Sequence, residues 1–272
     1  MLLGKKIMRI TSDLVKKLRL KSGIGIMECK KALITAKGDM QKAIIILKKN
    51  GQIKSENRSK NVALRGIIFT YLKKNRYAYI LELNCETDFV AQHSDFIKFA
   101  TEVLSTAYIE NITDISVLKN NFESKRNFLI SRFGENILIR RFSVLIGNTV
   151  TAYVHRNKIG VLLYYHGNNQ DIIKKVAMHI AAVNPGYLSK KDIPKSILEE
   201  EKKIQLEIAI RTGKPVSIAK KIVTGRIEKF INNICLLGQD CVFDVGKKIQ
   251  DVLYENNLQV IQFIRFELGE II

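Results

Sequence analysis

The side chains that could perform chemistry are few in this sequence of 272 residues, and they are scattered along it. Four cysteines occur without the paired spacing of a metal site: Cys29, Cys85, Cys235 and Cys241. Four histidines occur, and no two of them stand at metal-ligand spacing: His93, His155, His166 and His179. The sequence also lacks a Gly-x-x-x-x-Gly-Lys-Ser/Thr phosphate loop. It therefore predicts no catalytic residue, no bound metal and no cofactor of its own.

The chain carries a formal net charge of +19, which could attract the phosphates of a nucleic acid. Its lysines are spread along the chain among many Ile and Asn residues, a pattern that is also typical of AT-rich genomes. We favour that origin over a dedicated nucleic-acid surface. The 46% apolar and 26% charged shares are typical of a soluble globular protein, and no apolar run is long enough to cross a membrane. We expect a cytoplasmic protein with reduced thiols and no membrane partner.

Residues 81–92 read Leu-Glu-Leu-Asn-Cys-Glu-Thr-Asp-Phe-Val-Ala-Gln and predict a strand that turns sharply into a helix. The apolar run from 77 to 83 is typical of a buried strand, so the neighbouring Cys85 is expected to be an inert thiol. Thr87 can cap the helix, and Asp88 favours the positive end of its dipole. Apolar residues follow at helical spacing: Phe96, Phe99, Ala100, Val103 and Leu104. Phe89 stands at the corner, and taken alone it would more often be a core residue.

The string from Glu82 to Val90 resembles the second signature of the bacterial elongation factor Ts family, whose members exchange the nucleotide on elongation factor Tu. The resemblance implies that four residues disturb the Mg²⁺ site of that partner, with Phe89 as a wedge: Thr87, Asp88, Phe89 and Val90. The Mg²⁺ and the GDP would then belong to elongation factor Tu. An exchange factor needs no reactive group, because its preference for the nucleotide-free partner weakens nucleotide binding by the same factor.

Residues 8–51 predict a small unit of three helices with little core of its own. Thr11 or Ser12 caps the first helix, and the glycines of the turn at 22–25 separate it from the second. Asp39 opens a third helix that closes near Gly51. Residues 18–33 resemble the first elongation factor Ts signature, which implies a ubiquitin-associated-like (UBA-like) fold and these partner contacts: Arg19, Ile26, Met27 and Lys30. Residues 1–7 show no periodicity, and we expect them to be a dispensable extension.

Residues 52–62 are polar and predict a linker. After it, the order strand, hairpin turn, strand, helix occurs twice, which predicts related α+β subdomains at 63–146 and at 147–195 with 236–270. The first repeat has strands at 66–72 and from 77, a turn at 73–75, and helices from 88 and at about 117–133. The second has strands at 149–154 and 159–165, a turn at 156–158, a helix at 171–183 and a final strand at 259–267.

Residues 196–235 predict an inserted pair of antiparallel helices. Ile197, Ile204 and Ile208 form one apolar seam, which Glu201 interrupts. The second helix has apolar residues spaced four, three and four apart: Val223, Ile227, Phe230 and Ile234. Gly213-Lys214-Pro215 ends one helix and begins the next. The family resemblance implies a protruding coiled-coil hairpin at this place.

The resemblance covers nearly the whole chain and implies further partner contacts at Phe133, Gly134, His155, Val242 and Phe243. Ser22, Gln92 and Phe133 depart from the family's usual residues, which are Thr, a basic residue and an aliphatic residue. We therefore expect an α+β exchange factor for elongation factor Tu that uses no covalent catalysis. The alternative is an RNA-binding translation accessory protein, which would need its lysines on one contiguous face among exposed aromatic residues.

Overall fold

The computed structural model describes residues 10–58, 61–211 and 216–271, without the side chains of 52, 54–57 and 216–220. The predicted extension at 1–7 and the predicted break Gly213-Lys214-Pro215 lie outside the described residues. The helices are α1 (Ser12–Ser22), α2 (Ile26–Thr35), α3 (Met40–Arg58), α4 (Asp88–Ala91), α5 (Ser94–Ile109), α6 (Ile115–Phe133), α7 (Gln170–Val183), α8 (Lys195–Arg211), α9 (Val216–Ile234) and α10 (Ile249–Glu255). The strands are β1 (Arg65–Lys73), β2 (Tyr77–Cys85), β3 (Leu138–Ile146), β4 (Val150–His155), β5 (Ile159–His166) and β6 (Gln259–Glu267).

These elements divide into two compact units. Within the described residues, the first unit contains 10–58, 61–69, 81–143 and 267–271, and the second contains 70–80, 144–211 and 216–266. One sheet has the order β1–β2–β3 and the other has the order β4–β5–β6. Helices combined with two small sheets confirm the predicted α+β class.

Each sheet begins with a hairpin that turns on two residues with positive φ. In the first sheet these are Lys74 and Asn75 at 53° and 50°, and in the second they are Arg156 and Asn157 at 49° and 57°. Such pairs are typical of the tight turns whose twist matches that of the flanking strands. The predicted repeat of strand, turn and strand is therefore confirmed, and β6 completes the second sheet as predicted.

Two elements were not predicted. Strand β3 contains Arg140 and Arg141 in its centre, and this charged pair conceals an otherwise apolar run. Both arginines bind the buried Glu82 of β2, so the charges are paired inside the sheet. Helix α10 has only seven residues, which is too short for a helical period to be recognised.

The first three helices share one core, built from small and aliphatic residues: Val15, Leu18, Ile24, Cys29, Ala32, Leu33, Ala36, Ala43 and Leu47. Thr11 caps α1 by accepting a hydrogen bond from the backbone N–H of Leu14, as predicted. Gly23 ends α1 in a left-handed conformation with φ of 66°. The predicted three-helix unit is therefore present, and it lies in the first of the two units.

Helix α3 continues to Arg58, so the prediction that it closes near Gly51 is wrong, and the predicted linker at 52–62 is helical in its first half. The reason is the contact of α3 with α6. Gly51 is buried, and a Cβ there would lie 3.2 Å from the carbonyl oxygen of Asn127 and 3.3 Å from Cβ of Ser131. The glycine allows two helix backbones to approach each other and does not end a helix.

The predicted helix from Asp88 is divided into α4 and α5. The break lies at His93, which has an extended backbone and whose ring nitrogen accepts a hydrogen bond from the N–H of Asp95. His93 thus caps a second helix, a position that histidine rarely takes. The five apolar residues predicted to continue the helix all lie in α5 and are buried.

Helices α8 and α9 form a pair in the second unit. The predicted apolar residues of α9 all pack in one cluster with Ile197, and Gln205 of α8 accepts a hydrogen bond from Arg226 of α9. Ile197 at the start of α8 shares its cluster with Ile231 and Ile234 at the end of α9, and the hydrogen bond joins the middles of the two helices, so the pair is antiparallel. The predicted seam on α8 is wrong at Ile204 and Ile208, which are 46% and 42% exposed, whereas the neighbouring Ala209 is buried.

Candidate partner-binding site

The corner between β2 and α4 displays one large apolar side chain to solvent. Phe89 is 90% exposed, although Val90 and Ala91 beside it are buried. This exposure excludes the alternative in which Phe89 is a core residue. A fully exposed phenylalanine on a short, anchored helix is an unusual feature, because burying such a side chain is worth about 1.5–3 kcal/mol.

The backbone of this corner is held by a carboxylate from the loop after α6. Glu135 Oε2 accepts hydrogen bonds from the N–H of Thr87 at 2.9 Å and from the N–H of Glu86 at 3.2 Å. Glu135 Oε1 accepts a third from the hydroxyl of Thr87 at 2.6 Å. The Thr87 hydroxyl oxygen also faces the N–H of Val90 at 3.5 Å, in the position of a helix cap. Bonds to an ionised acceptor are strong, so Glu135 fixes the direction in which the next residues point.

A second carboxylate, that of Glu86, ties the corner to the same loop. Its Oε1 accepts hydrogen bonds from the N–H of Asn136 at 2.7 Å and from the side-chain amide of Asn61 at 3.0 Å. Burial raises the pKa of Glu86, but these hydrogen bonds and the charge of Arg58 lower the pKa by more, so that it lies below its ordinary value. The carboxylates of Glu135 and Glu86 therefore both attach the corner to the loop after α6.

Asp88 makes a weaker contact. Its carboxylate lies 3.9 Å from Nε of Arg65, and both side chains are about half exposed. An exposed ion pair of this kind contributes little to stability. The Asp88 carboxylate therefore remains accessible at the surface.

The end of α6 lies beside the corner and carries the predicted Phe133 and Gly134. The Phe133 ring packs edge-on against the His93 ring, with centroids 4.9 Å apart. Gly134 ends α6 with φ of 74°, which turns the chain toward Glu135. Arg132 forms an ion pair with Asp95 at 2.6 Å and lies so close to Gly23 that a Cβ there would be 2.5 Å from its Nε. The end of α6 therefore contacts both the corner and the turn between α1 and α2.

The predicted contacts on the three-helix unit are at its surface. Arg19 and Lys30 are exposed, and Ile26 and Met27 are 45% and 61% exposed. Sequence reasoning did not assign Leu20, which is 86% exposed and adjoins them in the chain. An exposed apolar group in a small helical unit is typical of a protein interface.

The other predicted contacts lie in the second unit. His155 is exposed at the end of β4, where its Nδ1 is 3.1 Å from the hydroxyl of Tyr153. Val242 is 56% exposed, whereas Phe243 is half-buried and packs against the core of its unit. Val245 is 95% exposed in the same loop and was not assigned from the sequence.

The described residues contain no group of three or more His, Cys, Asp and Glu side chains that could hold a metal ion. Cys85 is buried, and burial together with the nearby charge of Glu135 raises the pKa of its thiol to about 12. Such a thiol is unreactive at neutral pH, as the sequence predicted. Among the described helices, none is long and apolar enough to span a membrane.

Glu135 was also missed as the residue that orients the corner. The Glu135→Ala substitution removes both acceptor oxygens. We expect this to leave the N–H groups of Glu86 and Thr87 without their acceptor and to lower the free energy of unfolding by about 1–3 kcal/mol. Amide hydrogen exchange at Glu86 and Thr87 should become faster, whereas the exposed Glu207→Ala variant should match the wild type. Unchanged exchange at both amides would show that Glu135 does not hold the corner.

Comparison with known proteins places the site in a family context. Residues 86–270 match the family model described as Elongation factor TS. A protein named Elongation factor Ts from Photorhabdus laumondii is 47% identical over 262 residues, covering 96% of this chain and 93% of its own length. Another of that name from Yersinia pestis is 46% identical over 262 residues, covering 96% of this chain and 92% of its own length.

Proposed function

The chain belongs to the elongation factor Ts family, and on this basis we propose that it is the guanine nucleotide exchange factor of elongation factor Tu. It binds the GDP complex of that partner, disturbs the Mg²⁺ site and promotes GDP release, so that GTP can bind. The Mg²⁺ and both nucleotides belong to the partner, and the protein acts without covalent catalysis in the cytoplasm, where translation takes place. The family gives no support to the alternative of an RNA-binding accessory protein.

The single observation that supports this mechanism best is the exposure of Phe89 on a corner that Glu135 and Glu86 hold in place. Mg²⁺ requires near-ideal octahedral geometry, with ligand oxygens at about 2.1 Å. A small displacement of one element of the partner therefore weakens the binding of both the ion and the nucleotide phosphates. An apolar side chain on a preorganised backbone can cause such a displacement, because the cost of ordering that backbone is met on folding and not on binding. Thr87 and Val90 position the wedge, and Asp88 contacts the partner or holds the corner.

The remaining predicted residues extend this interface. We propose that Arg19, Ile26, Met27 and Lys30 dock a UBA-like module on the nucleotide-binding domain of the partner. The other proposed contacts are Phe133, Gly134, His155, Val242 and Phe243. We further propose that the module is followed by core subdomains at 63–146 and at 147–195 with 236–270, and that the α8–α9 pair at 196–235 is a coiled-coil hairpin.

The proposal is tested by the release of a fluorescent GDP analogue from elongation factor Tu in rapid-mixing experiments. Adding the wild-type chain should accelerate release in a saturable manner, at salt concentrations that abolish binding to RNA. An unchanged release rate at saturating concentrations of the folded chain would refute the exchange function.

Ile26→Ala combined with Met27→Ala tests the docking role of the three-helix unit. The two side chains are already exposed, so we expect folding to change by less than about 0.5 kcal/mol. The concentration for half-maximal stimulation should rise by roughly tenfold, which corresponds to about 1.4 kcal/mol, whereas the maximal release rate should stay unchanged. Substitution is preferable to deletion of the unit, because α3 packs against α6 at Gly51.

The matched control is Ile34→Ala, which removes an apolar side chain that is 54% exposed on the same helix, α2, as Ile26 and Met27. It should leave half-maximal stimulation near the wild-type concentration. If the double variant stimulated release at wild-type concentrations, the three-helix unit would not belong to the interface.

A further inference from the structure

A cavity of about 560 Å³ lies in the first unit, where the end of α1 and the middle of α3 face α6. It is next to the contact between Gly51 and Asn127, and none of the residues assigned to partner binding lines it. Its volume is within the range of about 300–1,000 Å³ that is typical of small-molecule sites.

Lysine ammonium groups surround this cavity. Lys21, Lys48 and Lys49 line it and are exposed, and no carboxylate of the side chains that the structure describes forms an ion pair with them. A fourth lining lysine, Lys125, is paired with Glu102. A cleft lined by charges of one sign concentrates counter-ions, so this cavity attracts anions with more than one negative charge.

The inner wall is apolar. Ile44 and Phe128 line the cavity, are half-buried, and pack from their other sides against the core of the three-helix unit. Aromatic rings such as that of Phe128 favour offset or edge-on contact with another flat ring. The wall therefore suits a ligand with a planar, largely apolar body.

One buried polar atom in the wall has no partner. Asn127 lines the cavity and is only 7% exposed, and its Oδ1 accepts no hydrogen bond from the described residues. An unpaired buried acceptor is unfavourable by about 1–3 kcal/mol, and native structures contain few of them. Because this oxygen has almost no accessible surface, the Asn127 amide must rotate toward the cavity before an N–H or NH₂ group of a ligand can satisfy it.

We propose that the cavity is a binding site for a nucleoside polyphosphate. The base contacts Phe128 and donates a hydrogen bond to Asn127 Oδ1, and the phosphates bind Lys21, Lys48 and Lys49. A planar ring is complementary to Phe128, a hydrogen-bond donor to Asn127 and multiple negative charge to the lysines, and nucleoside polyphosphates combine the three. This site is separate from the partner's nucleotide site, and the proposal does not depend on the exchange function.

The test is binding of ATP and GTP to the isolated full chain, measured by calorimetry and by chemical shifts of the Asn127 and Phe128 amides. We expect saturable binding at one site, and weaker binding of inorganic tripolyphosphate, which lacks the base. Lys48→Gln combined with Lys49→Gln should weaken ATP binding by roughly tenfold or more, because charge-assisted contacts to phosphate are lost. Both lysines are exposed, so this variant should remain folded.

The matched control is Lys16→Gln combined with Lys17→Gln, which removes the same charge from exposed positions of α1 outside the cavity. It should change ATP affinity by less than about twofold, because exposed charges at a distance are screened by salt. Equal weakening by both double variants would overturn the proposal in favour of general attraction to a basic protein. It would also be overturned if no ATP bound at millimolar concentration, or if short single-stranded RNA bound the cavity far more tightly than ATP did.

Discussion

Phe89→Ala should slow the release of GDP from elongation factor Tu more than any other single substitution in the proposed interface. Truncation of a central apolar contact costs about 2–4 kcal/mol. If the contact is made mainly in the nucleotide-free complex, its loss slows GDP release. The release rate should then fall by about a factor of ten for each 1.4 kcal/mol. Asp88→Ala should act in the same direction but more mildly, because the carboxylate is half exposed and weakly paired.

Phe89→Ala should leave the isolated protein almost as stable as the wild type. Phe89 is 90% exposed, and a surface substitution changes the free energy of unfolding by about 0.5 kcal/mol at most. Substitution of a buried phenylalanine by alanine would instead lower the free energy of unfolding by about 3–5 kcal/mol. Thermal unfolding of the variant therefore separates loss of a contact from loss of structure.

Ile109→Ala provides the matched control, since Ile109 is 73% exposed at the end of α5 and has no assigned role. Elongation factor Tu should release its nucleotide as fast with the Ile109→Ala variant as with the wild-type chain. A Phe89→Ala variant that stimulates release as well as Ile109→Ala does would place the wedge elsewhere in the protein.

Glu82→Leu should have the largest effect on stability. Glu82 is fully buried in β2 and forms ion pairs with Arg140 and Arg141 of β3, the first at 2.8 Å, and it accepts a hydrogen bond from Gly269 N–H at 2.9 Å. Removing the carboxylate leaves two arginines without their shared partner, and such losses cost about 3–5 kcal/mol. Urea unfolding followed by circular dichroism would measure the change.

Combining Glu82→Leu with Arg140→Leu and Arg141→Leu should recover part of this loss, because replacing a whole buried ion-paired group by apolar side chains is often neutral. If the triple variant were less stable than Glu82→Leu alone, charge pairing would not be the reason for the loss. Equal stability of Glu82→Leu and the wild type would contradict the structural role of Glu82.

The effect of Glu82 should also depend on pH. Burial raises the pKa of this carboxyl, but the N–H of Gly269 and the guanidinium groups of Arg141 and Arg140 lower it by more, so it lies below the ordinary value. The unfolded chain therefore takes up the proton first, at a pKa of about 4.3. The stabilisation is complete above that pH and is lost as the pH falls through the folded pKa. The difference between wild type and Glu82→Leu should therefore shrink below about pH 4.

Local signals in the sequence were sufficient for much of the fold. Thr11, Gly23 and Thr87 cap helices, and their residue types are typical of helix ends. Both hairpin turns contain an Asn, a residue type that adopts positive φ more readily than most. The exposure of Phe89 was also expected, but through the family resemblance, since composition alone favoured the core.

Features that depend on distant partners could not be predicted. Glu135 binds Thr87 across 48 positions of sequence, and no local pattern marks that pairing. Gly51 has the residue type of a helix end, yet contact with α6 keeps it inside α3. Arg140 and Arg141 interrupt the apolar run of β3, and their main partner, the buried Glu82, lies on another strand. In each case a tertiary contact outweighs the local preference.

The most direct test of the wedge is the release rate of a fluorescent GDP analogue from elongation factor Tu, measured with saturating wild-type chain or saturating Phe89→Ala. Each is measured both in millimolar Mg²⁺ and in excess EDTA. If Phe89 acts by disturbing the Mg²⁺ site, the wild type should exceed the variant by more than about tenfold in Mg²⁺, and the two rates should converge in EDTA. A difference of the same size in both solutions would contradict the account, because Phe89 would then act independently of the ion.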